Sequence, residues 1–253
     1  VGTNILGYAQ EDVNEAVIAC ISSGNMSSLN CVEEVWLAER LVDITRSGDM
    51  VRFARTGGEA NAIAIRIARA ASQKSKVAVC GYHGWHDWYL SVNLAQKSGL
   101  DDLLLPGLEP LGVPSELKNL TLPFSYGDSQ SLAEIFNQEP ELGWVKLEVC
   151  RATAPDMPFL REVRNLCNKY GAVLIFDECT SGFRQSFGGL HKLCGVDPDL
   201  TVYGKALGNG HPITAVVGTK EVMECAQSTF ISSTFWTDRT GPVAALKTLE
   251  VME

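Results

Sequence analysis

The chain has 253 residues, 45% hydrophobic and 20% charged, enough to build one large core or two modest ones. Its formal net charge of −9 comes without any Lys/Arg cluster, which argues against nucleic acid as a partner and favours small-molecule chemistry. No run of about 18 apolar residues is present to span a membrane, and Val1-Gly2-Thr3-Asn4 does not open a secretory signal.

In chain order, residues 12–22, 31–45 and 59–71 read as helices, and 77–80 as a strand. A helix over 129–137, a strand over 144–149 and a helix over 160–170 follow. Strands over 172–176, 200–203 and 214–218 precede a final helix over 242–252. Apolar strands alternating with helices predict an α/β fold around a mainly parallel sheet. The eight cysteines (Cys20, Cys31, Cys80, Cys150, Cys167, Cys179, Cys194 and Cys225) form no C-x-x-C pair, and several lie in apolar runs. They read as buried, reduced thiols of a cytoplasmic protein, with no metal site.

Three stretches carry candidate chemistry. In the helix over 59–71, Ala60, Ile63, Ala64, Ile67, Ala68 and Ala71 make one apolar face. Thr56-Gly57-Gly58 before it leaves backbone N–H groups open to an anion, although such a pair also makes an ordinary turn. The run Val173-Leu174-Ile175-Phe176 ends in Asp177-Glu178. Ligands of parallel sheets gather at carboxyl ends of strands, so Asp177 either faces a ligand or caps the next element. The strand over 200–203 runs into Gly204-Lys205-Ala206-Leu207-Gly208-Asn209-Gly210. A lysine leaving a buried strand at that edge loses its proton more easily and becomes a nucleophile.

Ordered landmarks extend these pieces over nearly the whole chain. They are Asn4-Ile5-Leu6-Gly7-Tyr8, Val13-Asn14-Glu15-Ala16-Val17 and Leu37-Ala38-Glu39-Arg40-Leu41, then Arg55-Thr56-Gly57-Gly58-Glu59-Ala60-Asn61 and Tyr82-His83-Gly84-Trp85-His86-Asp87. Phe176-Asp177-Glu178-Cys179-Thr180-Ser181-Gly182-Phe183-Arg184 and the Lys205 loop complete them. In this order they resemble the class III aminotransferases of pyridoxal-phosphate (PLP) fold type I, nearest the glutamate-1-semialdehyde aminomutase-like branch. The resemblance implies a three-layer, aspartate-aminotransferase-like large domain with a mainly parallel central sheet.

It also implies roles. Lys205 would hold pyridoxal 5′-phosphate as an aldimine and later shuttle a proton, and Asp177 would pair with the ring nitrogen. Thr56, Gly57 and Gly58 would cradle the phosphate. Tyr82 would stack on the ring and Cys179 would pack on its other face. Glu148 matches a frequent acid near the cofactor. Thr234 would reach the phosphate of a neighbouring subunit, making the active form a homodimer. His83 and His86 either orient the stacking loop or are ordinary satisfied histidines, Glu178 points elsewhere, and Arg184 either binds a substrate carboxylate or, as the family role implies, is structural.

The chain departs from the pattern at four places. Gly58 stands where a hydroxyl residue is usual, and Cys179 where valine is frequent. Phe235-Trp236-Thr237-Asp238-Arg239 is unusual after Thr234. Arg55 replaces a small polar residue, and we read it as a substrate-carboxylate contact.

Residues 1–253 read as the PLP-binding large domain, without the N-terminal segment and C-terminal small domain of the family. The pattern over 241–252 also stops without a glycine or proline signal. The expected activity moves an amino group between a small-molecule donor and acceptor, either between molecules or as a 1,2-shift on one. The substrate class is an amino or keto acid, an aldehyde or a sugar. The alternatives are a non-catalytic PLP-binding or dimerising fragment and, from the α/β alternation alone, a dinucleotide oxidoreductase. The Lys205 loop lacks G-x-G-x-x-G spacing for the last.

Overall fold

Helix and strand boundaries follow the local chemistry of the chain. The computed structural model describes residues 1–95, 109–150 and 154–253. Its strands are β1 Met50–Ala54, β2 Lys76–Cys80, β3 Thr121–Pro123, β4 Leu142–Glu148, β5 Val173–Asp177, β6 Leu200–Tyr203 and β7 Thr214–Gly218. The helices are α1 Glu11–Ser22, α2 Val32–Thr45, α3 Gly57–Ser72, α4 Asp87–Leu90, α5 Val92–Ala95, α6 Ser129–Gln138, α7 Met157–Tyr170, α8 His191–Cys194, α9 Lys220–Met223 and α10 Thr240–Met252. Among the described residues, no helix is long and apolar enough to cross a membrane.

The strands form one sheet in the order β1-β7-β6-β5-β4-β2-β3. β3, β2, β4, β5 and β6 pair in parallel, and β7 is antiparallel to both β6 and β1. The mixed sheet is therefore mainly parallel, and helices cover both faces. On one face α3 packs Ala60, Ile63, Ala64 and Ile67 against Trp144, Ile175, Val202 and Val216. The other face carries Val145, Leu147, Leu174 and Phe176 against α6 and α7. Nearer β7, α2 and α10 cover it with Leu37, Leu41, Ala245 and Leu249. Each fully buried aliphatic or aromatic side chain contributes about 1.5–3 kcal/mol relative to exposure.

Two details depart from the sequence pattern. Ile65 lies off the apolar stripe of α3 yet is 2% exposed. Val222, Met223 and Ala226, from α9 and the turn after it, cover that second side. The other is α7, which starts three residues before the expected 160. Asp156 caps it by accepting from Phe159 N–H, and Pro158 sits in the first turn, where its missing N–H costs nothing.

Candidate active site

Chain order and strand alternation build the site at the carboxyl ends of β4, β5 and β6. On β5 the side chains of Val173 and Ile175 enter the α3 face, and the period of two places Asp177 there as well. On β4, Trp144, Lys146 and Glu148 share that face for the same reason. The register pairs Glu148 with Asp177 and Lys146 with Ile175, so Lys146 lies diagonally behind Asp177.

Asp177 is 3% exposed. Its Oδ1 accepts from Cys179 N–H at 3.1 Å. Its Oδ2 lies 2.9 Å from His83 Nδ1 and 3.3 Å from Lys146 Nζ. Burial alone would push this carboxyl up. The Lys146 ammonium, followed by the His83 hydrogen bond, outweighs burial and holds it well below the usual carboxylate range. Burial pushes the His83 imidazole down, against the pull of Asp177. With the carboxylate ionised, Nδ1 must carry the proton that the contact shares. Asn61 of α3 steadies this loop by donating to the His83 carbonyl at 3.1 Å.

Lys205 follows β6 with φ at 44°, the left-handed region that a side chain occupies only under constraint. Its Nζ donates to Thr180 Oγ1 at 2.8 Å. The turn after β5 thus touches both key groups, Asp177 through Cys179 N–H and Lys205 through Thr180. Cys179 also meets the other two loops. A Cβ at Gly57 would lie 3.6 Å from its sulfur, and one at Gly204 would lie 3.3 Å away. Burial, then the Asp177 carboxylate, pushes the Cys179 thiol far up, so it packs as a small neutral group.

Thr56 caps α3, its hydroxyl accepting from Glu59 N–H at 3.3 Å. Glu59 returns to Arg55 N–H at 2.8 Å, close to a capping box. Gly57 and Gly58 open the helix beyond that cap. The Thr56 carbonyl accepts from the Thr214 hydroxyl at 3.3 Å, joining this loop to β7. Glu148 accepts from Tyr82 N–H at 2.9 Å, and Gly81 makes the approach possible. Gly81 has φ at +103°, and a Cβ there would sit 2.8 Å from Glu148 Oε2. Tyr82 is 37% exposed, and its ring meets Tyr89 edge-on.

The remaining residues lie further out. Thr234 is exposed in the turn over 234–237. The Arg55 guanidinium donates to the carbonyls of Phe235 at 2.6 Å, Asp238 at 3.0 Å and Trp236 at 3.3 Å. A substrate carboxylate would have to compete with these. Glu178 alternates to the opposite face, where it accepts from Leu190 and His191 N–H. Arg184 donates to the carbonyls of Thr180 and Gly2, tying down the N-terminal segment. Lys146 is a member of the Asp177 cluster that the sequence does not announce. Its only signal was a cation inside an apolar strand.

In sequence and fold the chain is similar to proteins of the transaminase kind. Residues 149–253 match the family profile described as Aminotransferase class-III. The chain is 37% identical over its whole length to the 3-aminobutyryl-CoA aminotransferase of Cloacimonas acidaminovorans (strain Evry), of which it covers 59%. It is 36% identical, over 88% of its length, to the glutamate-1-semialdehyde 2,1-aminomutase of Sulfurihydrogenibium azorense, of which it covers 53%. An omega-transaminase structure from Sphaerobacter thermophilus superposes on the full chain with a TM-score of 0.88 at 30% identity, and the chain covers 60% of it. The chain thus resembles the class-III aminotransferases, and it spans a little over half the length of the curated relatives it matches.

Proposed function

We propose that this chain carries the cofactor site of a PLP-dependent aminotransferase or 1,2-aminomutase. The observation that carries the reading is the turn after β5, which touches Asp177 and Lys205 at once. The donor set suits PLP. Lys205 offers an amine at the edge of the site. Asp177 offers a carboxylate kept ionised for a protonated ring nitrogen. Gly57 and Gly58 add no side chain of their own at the start of α3, where a phosphate would bind with His86 beside Gly58.

When bound, the cofactor supplies an electron-accepting ring. Lys205 is the amine that would hold it, with the Thr180 hydroxyl fixing the amine's position. Once substrate has released this amine, it would carry a proton to or from the substrate carbon that bears the amino group. Asp177 would keep the ring nitrogen protonated, and His83 orients Asp177. Thr56 caps the helix that receives the phosphate. Tyr82 would stack on one face of the ring and Cys179 pack on the other, with Glu148 fixing the Tyr82 backbone. Arg55 is the proposed contact for a substrate carboxylate.

The substrates are a small amino donor and acceptor. We place the protein in the cytoplasm, as a homodimer in which Thr234 serves the neighbouring copy. Thr234 is exposed here, and Val32, Val35, Trp36, Trp85 and Phe235 are large exposed apolar side chains that a second copy would cover. Mixed with PLP, the chain should develop a visible absorption band that Lys205→Ala removes. An unchanged band in that variant rules out Lys205. Loss of the band on adding an amino donor would show the donor half-reaction, and a band inert to every donor would leave a cofactor-binding fragment.

A further inference from the structure

Lys146 lies in the middle of β4 between Val145 and Leu147, and its side chain is fully buried. Its Nζ makes no hydrogen bond among the described residues. Its one ion contact there is Asp177 Oδ2 at 3.3 Å. A buried ammonium without an opposite charge is strongly disfavoured, so this contact is what keeps the cation inside. Both oxygens of the carboxylate are already engaged. Oδ2 faces Lys146 and His83, and Oδ1 accepts from Cys179 N–H. Glu148, opposite Asp177 in register, is held by Tyr82 N–H.

Resting on the reading that Asp177 meets a protonated ring nitrogen, we propose that Lys146 is a positioning residue, a resident counter-ion that shares the Asp177 carboxylate and weakens its hold on that nitrogen. Two consequences follow from charge. Without cofactor, Lys146 keeps Asp177 ionised and compensated. With cofactor, the ring N–H⁺ and the Lys146 ammonium compete for one carboxylate, and their mutual repulsion lowers the advantage of a protonated ring.

The test compares PLP with an analogue carrying C–H in place of the ring nitrogen. The ratio of their dissociation constants is measured in the wild-type chain and in Lys146→Met. We expect the preference for PLP to grow about tenfold in Lys146→Met, the scale of one close charge pair. A packing defect weakens both ligands alike and leaves the ratio unmoved, so an unchanged or smaller ratio overturns the proposal. A wild-type chain that binds both ligands equally overturns the pairing of Asp177 with the ring nitrogen instead, a separate result.

A second measurement needs no cofactor and covers a Lys146→Met that folds poorly by itself. Asp177→Asn strands the Lys146 cation, so urea unfolding should show it losing stability, and Asp177→Asn with Lys146→Met regaining part of that loss. No recovery in the double variant overturns the pairing.

Discussion

Gly58 shows how one missing side chain is tied to a neighbour. A Cβ at this position would lie 2.7 Å from His86 Nε2 and 3.1 Å from its Cδ2. The imidazole fills the space that a hydroxyl residue would occupy at the start of α3. Gly58→Ser must push His86 aside, and overpacking of this kind should weaken PLP binding about tenfold. Adding His86→Ala should return the affinity toward wild type. A PLP titration of both variants checks this, and equal affinity in Gly58→Ser and wild type would refute it. The nearness of Asp177 and Lys205 was legible because each leaves an apolar strand, and those strands pair as β5 and β6. Lys146 was not legible. A lone lysine inside an apolar strand names no partner, and only the register of β4 on β5, a long-range fact, brings it to Asp177.

At the scale of elements, the loop before α3 is strapped to the turn before α10. Arg55 spans the gap with its three carbonyl contacts, and its side chain is 12% exposed. Arg55→Lys keeps the charge but replaces the planar guanidinium whose Nη2 makes all three contacts with a shorter-reaching ammonium. It should cost about 1.5–3 kcal/mol in urea unfolding and speed proteolysis around residues 234–238. An unchanged unfolding midpoint with a raised KM for acidic substrates would assign Arg55 to substrate instead. Five of the seven strands stood out as apolar runs. β1 did not, because Met50-Val51-Arg52-Phe53-Ala54 carries a cation at its centre. That cation is accommodated at the sheet edge, with the guanidinium 4.5 Å above the Trp236 ring. β3 is three residues long and ends in Pro123, a residue confined to edges. Both missed strands are edges, where tertiary pairing alone decides the conformation.

On the scale of the whole molecule, the sheet gathers buried charge toward the carboxyl ends of β4 and β5, where Lys146 and His83 face Asp177 and Glu148 stands opposite it in register. The depressed carboxyl of Asp177 links this cluster to stability. A carboxyl whose folded pKa lies below its unfolded value of about 3.9 stabilises the fold fully above that value. The stabilisation is lost as pH falls from there toward the folded value. Glu33 adds a smaller effect of the same sign, because the hydrogen bond from Arg239 lowers its pKa. The cofactor-free chain should therefore lose stability on acidification, first below about pH 6.5, where the unfolded chain protonates His83 and the fold resists it, and further below about pH 4. Asp177→Asn should be less stable at neutral pH and show a flatter acid limb, with the Glu33 contribution remaining. Urea midpoints measured across that range decide the matter. An acid limb as steep in Asp177→Asn as in the wild-type chain would mean that the carboxylate at the centre of the site is not the ionised partner that Lys146 and His83 require.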